Sequence, residues 1–111
     1  MNEKLLVIIS TSEVEKARTG LLYTINAKRN EWINDIKLIF FGPSEKLLLE
    51  DEIIQQYAEE FILMEEKVVA CKFIAIQEKT DEKLNALGIE VEYVGEMISN
   101  YIKDGYIPMV W

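Results

Sequence analysis

The chain carries one cysteine, Cys71, and no histidine, so few kinds of covalent chemistry are open to it. Without histidine, a cysteine or serine nucleophile lacks its usual general base and a transition metal lacks its commonest ligand. Thioredoxin-like chemistry and an internal disulfide both need a second cysteine. Hydrolytic triads, zinc sites and dithiol exchange are therefore disfavoured. The lone thiol predicts a reducing compartment, the cytoplasm.

Cys71 itself has two interpretations. It follows Val-Val-Ala in an apolar segment, where a free cysteine is usually a core residue. Near the carboxyl end of a central strand, however, the N-termini of nearby helices lower a thiol pKa and favour the nucleophilic thiolate. The second interpretation predicts an accessible thiol of low pKa, generated by electrostatics alone because no histidine is present.

Polar residues that could bind a substrate follow the predicted strands. Ligand sites in parallel sheets form beyond the carboxyl ends of the strands. The candidates at that edge are Thr11, Ser12, Gly42, Pro43, Ser44 and Lys72. No glycine-rich turn follows the first strand, as a dinucleotide site requires. A small-ligand or nucleotide site in these loops remains one hypothesis.

Five short apolar segments separated by helical patterns predict an α/β fold. The strands are expected at 4–10, 35–41, 67–73, 90–94 and 106–110. Strand–helix–strand connections make right-handed crossovers between parallel neighbours. We therefore expect a three-layer α/β/α sandwich around a five-stranded, mainly parallel sheet. The strand order cannot be read from this pattern.

Local signals predict where several elements begin and end. Ser12 and Glu15 form a capping box that should start the first helix. The helical pattern of 44–66 has a possible break near Glu50. Gly88 should close a short helix, and Pro108, which cannot donate to a ladder, places the last strand at an edge.

Length and charge limit the class of protein. The 111 residues correspond to one domain, 1–111. The net charge of -8 repels a phosphate backbone, so nucleic acid is not an expected partner. The longest apolar run, Leu5 to Ile9, is far too short to cross a bilayer, so no membrane partner is expected either.

The large aromatic residues have two interpretations as well. Tyr57 and Phe61 recur at helical spacing and are expected in the core. Trp32, Tyr106 and Trp111 lie near helix ends or the end of the sequence, where aromatics pack within the domain or anchor subunit contacts.

Several segments together resemble a known family across essentially the whole chain. In order, they are Phe41-Gly42-Pro43, Leu47-Leu48-Leu49, Lys67-Val68-Val69-Ala70-Cys71, Leu87-Gly88-Ile89-Glu90-Val91 and Ile102-Lys103-Asp104-Gly105-Tyr106. This ordered set is similar to the DsrE/DsrF-like family of small sulfur-relay proteins. The resemblance implies a single domain of that family in which Cys71 matches the cysteine that carries a persulfide.

The resemblance also implies partners. Family members assemble as trimers or hexamers and pass sulfur between donor and acceptor proteins, so we expect a homo-oligomer, such partners and no cofactor. The leading hypothesis is a persulfide carrier with Cys71 as the sulfur acceptor. The alternative is a non-catalytic oligomeric binding or assembly module with a buried, structural cysteine. Whether the protein is an enzyme stays open.

Overall fold

One sheet of five parallel strands organises the protein in the computed structural model, which describes residues 2–111. The strand order is β4-β3-β2-β1-β5. The strands are β1 (Lys4–Ile9), β2 (Asp35–Phe40), β3 (Val68–Cys71), β4 (Glu90–Glu92) and β5 (Ile107–Val110). The prediction of a five-stranded parallel sheet is confirmed.

Helices cover both faces of the sheet, as predicted for an α/β sandwich. They are α1 (Val14–Arg29), α2 (Ser44–Glu50), α3 (Glu52–Leu63), α4 (Lys72–Glu78), α5 (Asp81–Ala86) and α6 (Gly95–Lys103). The connections from β1 to β4 all move in one direction, and right-handed crossovers therefore place α1 to α5 on one face. The chain then returns past β1 to form β5, which places α6 on the opposite face.

Alternation along β1 shows how the sheet divides the core. Leu5, Val7 and Ile9 point into the larger cluster, beneath α1 to α5. Leu6 and Ile8 point into the smaller cluster, beneath α6. Successive side chains of a strand alternate between faces, so a strand buried on both sides reads as one continuous apolar run.

The predicted core and edge residues are largely confirmed. Phe61 is fully buried, and Tyr57 packs against the larger cluster from its margin. The strands β4 and β5 form the two edges of the sheet, so Pro108 lies where its missing N–H costs least.

The ambiguous aromatics pack in different ways. Tyr106 is buried, and its hydroxyl donates to the Asp35 carboxylate. Burial, followed by that bond, raises the pKa of Tyr106. Trp111 packs on α1 at Gly20, whereas Trp32 is exposed.

Three local predictions need correction. The strand predicted at 67–73 ends at Cys71, because the chain turns into α4 at once. This strand is not central, since β2 occupies the middle of the sheet. The capping box is also wrong: α1 begins at Val14, and its N-cap residue, Glu13, makes no side-chain cap.

The break predicted near Glu50 is confirmed. Asp51 separates α2 from α3 and accepts a hydrogen bond from the Ile54 N–H at 2.9 Å, which caps α3. Arg18 on α1 donates two hydrogen bonds to the same carboxylate. These bonds lower the pKa of Asp51 and tie α1 to the junction between α2 and α3.

Candidate functional site

The loops after β1 and β2 meet at the carboxyl edge of the sheet, as the sequence predicts. The Ser44 hydroxyl is buried and donates to the main-chain oxygen of Ile9, at the end of β1. Gly42 has a φ of 114°, and a Cβ placed there would lie 3.2 Å from the Ser10 Oγ. The structure therefore brings Gly42, Pro43 and Ser44 next to the first loop.

In the loop after β1, several N–H groups donate hydrogen bonds within the protein. The N–H groups of Ser10 and Thr11 both donate to the main-chain oxygen of Trp111, at 2.7 and 3.2 Å. The Thr11 hydroxyl accepts from the Glu13 N–H at 3.0 Å, and Ser12 is exposed. Thr11 and Ser12 lie at the predicted edge, but the N–H groups of Ser10, Thr11 and Glu13 donate within the protein.

Cys71 ends β3 at the same edge and serves as the N-cap residue of α4. Its side chain is only 4% exposed and belongs to the smaller core cluster with Val69 and Val94. The expectation of an accessible thiol is therefore wrong for this conformation. The thiol is buried because side chains alternate along β3. Cys71 therefore points to the same face of the sheet as Val69, and α6 covers that face.

Lys72 forms no hydrogen bond with the thiol in the described structure. It is the first residue of α4, and its ammonium group lies 5.4 Å from the centre of the exposed Tyr93 ring. Lys46, on α2, pairs with Glu78 at 3.0 Å. Neither lysine forms a hydrogen bond with Cys71, and both make their closest polar or aromatic contacts elsewhere.

Sequence reasoning missed Glu45, the buried acid at this edge. Glu45 lies in the first turn of α2 and is only 1% exposed. Its Oε2 accepts from the Gly42 N–H at 3.3 Å, three residues back, whereas its Oε1 is buried without a partner. In a sequence, a glutamate in the first turn of a helix is usually interpreted as a solvated capping residue. The Gly-Pro-Ser turn before Glu45 was the one sequence feature that could have indicated its burial.

The environment of Glu45 changes its acidity. Burial raises the pKa of this carboxyl to about 7, against the smaller opposing effect of the Gly42 and Cys71 amides. The negative charge of Glu78 adds slightly to the rise. With no histidine in the chain, Glu45 is the side chain at this edge that changes charge near neutral pH.

Other parts of residues 2–111 offer less chemistry. No cluster of acidic, cysteine or histidine side chains there could hold a metal ion. A cleft of about 400 Å³ lies beneath α6, bordered by Lys37, Lys67 and Glu92, and it includes neither Cys71 nor Glu45. None of the described helices is long and apolar enough to span a bilayer.

Comparison with known proteins bears on the fold alone. No family model matches the chain, and no curated protein matches it. Among solved structures, a conserved protein of unknown function from Bacteroides thetaiotaomicron superposes with a TM-score of 0.89. The two share 24% sequence identity, and the match covers 98% of this chain and 95% of the other. This chain is therefore similar in fold to that protein.

Proposed function

We propose that the protein carries sulfane sulfur on Cys71. One observation carries the proposal: the only cysteine lies at the carboxyl edge of the sheet, beside a buried carboxyl with an unpartnered oxygen. Buried polar groups are normally paired, and unpaired titratable groups concentrate at functional sites. The family resemblance supports the same assignment for Cys71.

The chemistry is exchange of sulfur between thiols. The sulfur of Cys71 attacks the outer sulfur of a donor persulfide, the donor S–S bond breaks, and the donor leaves as a thiol. Cys71 then carries the persulfide, and reversal of the step onto an acceptor thiol regenerates it. No external oxidant or cofactor is consumed, because each S–S bond that breaks is replaced by another.

Exposed aromatic side chains around Cys71 support delivery by a partner protein. Phe41 follows β2, Phe73 lies two residues beyond Cys71, and Tyr93 follows β4; all three are exposed. Exposed aromatics of this kind anchor protein contacts. Because the thiol is covered, docking must displace the start of α4 or the edge of α6 before sulfur can be transferred.

The direct test is transfer of labelled sulfur. Protein prepared without reductant is incubated with a labelled low-molecular-weight alkyl persulfide and analysed by mass spectrometry as intact chain and as peptides. We expect a single added sulfur on Cys71 and none on Cys71→Ser, the matched control. A wild-type chain that takes up sulfur only after unfolding would contradict the proposal.

The burial of Cys71 favours the second candidate, an oligomeric binding or assembly module with a structural cysteine. Both candidates share a homo-oligomer, which the resemblance implies as a trimer or hexamer. Sedimentation at micromolar concentration should show a species several times heavier than the 12.9 kDa chain. A monomer would contradict the assembly. An oligomer with an inert thiol would favour the second candidate.

A further inference from the structure

Glu45 is placed to act together with Cys71. Its carboxyl lies where the amides of Gly42 and Cys71 both influence it, between the ends of β2 and β3. One oxygen accepts from Gly42, and the other is buried and makes no hydrogen bond of ordinary geometry, although the Cys71 amide is close enough to lower the pKa of the carboxyl. The amide nitrogen and Sγ of a cysteine are only three bonds apart, so the Glu45 carboxyl lies beside the residue that carries the thiol.

The charged groups around Glu45 leave it as the available proton acceptor. Glu78, on α4, acts on it through its negative charge and is itself paired with Lys46 on α2. Lys72, at the start of α4, has its ammonium group over the Tyr93 ring. After β1, the neutral Ser10 hydroxyl lies near Gly42, whose N–H donates to Glu45. Burial raises the pKa of Glu45 toward neutrality, which suits its carboxylate to accept a proton from a thiol.

We propose that Glu45 accepts the thiol proton of Cys71 during sulfur transfer and returns it to the departing donor. This inference rests on the proposed sulfur carriage. As Sγ attacks the outer sulfur of the donor persulfide, its proton passes to Oε1 of Glu45. The donor S–S bond breaks, and the leaving thiolate takes the proton from the carboxyl. Atoms, charge and electrons balance with the donor persulfide as the only co-reactant.

The acidity of Glu45 suits this role. An efficient proton acceptor has a pKa near the working pH, and burial raises the pKa of Glu45 to about 7. An ordinary thiol has a pKa of about 8.5. Transfer from such a thiol to Glu45 is therefore unfavourable by only about thirtyfold at equilibrium, against roughly ten-thousandfold for an exposed glutamate.

The kinetic test compares the pH dependence of sulfur transfer in wild type and Glu45→Gln, with an alkyl persulfide as the donor. Wild type should reach half its maximal rate near pH 7, where Glu45 becomes a carboxylate. Glu45→Gln should rise only as the thiol itself ionises, and should be slower at neutral pH by about tenfold or more. Glu78→Gln is the matched control, and should move the inflection slightly downward without removing it, because one negative charge near Glu45 is lost.

An equal or faster rate in Glu45→Gln would overturn the inference, because a carboxylate that merely repels the thiolate predicts acceleration on its removal. A second readout does not depend on sulfur transfer. The carboxyl signal of ¹³C-labelled Glu45, followed by NMR against pH, should show a second inflection at the thiol pKa that disappears in Cys71→Ser.

The two readouts separate the possible failures. Sulfur transfer that is unchanged in Glu45→Gln, without a second inflection, overturns the role of Glu45 and leaves the sulfur carrier standing. No transfer by wild type, with the second inflection present, overturns sulfur carriage and leaves Glu45 as the proton partner of the thiol. If wild type shows neither sulfur transfer nor the second inflection, sulfur carriage and the role of Glu45 are both overturned.

Discussion

Relative to wild type, Glu45→Gln should gain stability as pH rises from about 5 to about 8. Burial raises the pKa of Glu45 from 4.5 to about 7 in the folded protein. Between these two values the unfolded chain has already released the proton that the folded chain still holds. Since the folded state binds more protons, the free energy of unfolding falls as pH rises through this window, and the loss is complete above pH 7.

The magnitude follows from the two pKa values. The pKa of Glu45 differs by about 2.5 between the folded protein, at about 7, and the unfolded chain, at 4.5. This difference lowers the free energy of unfolding of wild type by about 3 kcal/mol at high pH. Glutamine removes this loss but buries an amide that has no obvious partner, at a cost of about 1–3 kcal/mol that does not depend on pH. The difference in the free energy of unfolding between Glu45→Gln and wild type is therefore small at any one pH. Between about pH 5 and about pH 8, that difference should change by about 2.5 kcal/mol.

Urea unfolding of wild type and Glu45→Gln at those two pH values measures this change directly. Glu50→Gln is the matched control, because Glu50 ends the same helix, α2, and is exposed. That control should stay within about 0.5 kcal/mol of wild type at both pH values. If Glu45→Gln shifted stability equally at the two pH values, Glu45 would not be a buried acid of raised pKa, and the proton-transfer inference would lose its physical basis.

Two further substitutions test the packing that surrounds the site. Gly20→Ala should destabilise the fold by about 1–3 kcal/mol in urea unfolding, because the new Cβ would lie 2.6 Å from the Trp111 ring. The control, Gly95→Ala, should cost little because nothing lies within 4 Å of its new Cβ. Equal losses of stability in the two variants would contradict this account. Asp51→Ala should cost about 1–3 kcal/mol by the same assay through loss of the α3 cap and the Arg18 contact. Because the Arg18 bonds lower the pKa of Asp51, the charge-dependent part of the wild-type advantage should be present at neutral pH and be lost as pH falls from 3.8 through the lowered pKa of the folded state. A constant difference would argue against the ion pair.

Prediction from the sequence worked best where a local pattern had a single physical cause. The continuous apolar run of β1 required burial on both faces, and the structure buries it on both. Pro108 required an edge, and β5 is an edge. Prediction failed where a local signal competed with tertiary contacts. Ser12 and Glu15 satisfied the capping pattern, but tertiary hydrogen bonds from the first loop to Trp111 hold that loop extended, and α1 starts later.

In the candidate site, too, local features could be predicted from the sequence and tertiary contacts could not. The sequence located the reactive candidate, Cys71, and the loop that contains Gly42, because strand ends and their polar turns are local features. The sequence leaves the exposure of Cys71 open, and the tertiary structure buries its side chain because α6 covers that face of β3.

The sequence by itself determined that alternating strands and helices form a parallel sheet covered on both faces, since periodicity and crossover geometry are properties of the chain. The tertiary structure alone decided the strand order and the environment of Glu45. A glutamate in the first turn of a helix looks solvated in sequence. It becomes a buried acid only because β3 pairs with β2, which places the ends of these two strands beside its carboxyl. Burial depends on contacts between distant segments, and no local pattern encodes them.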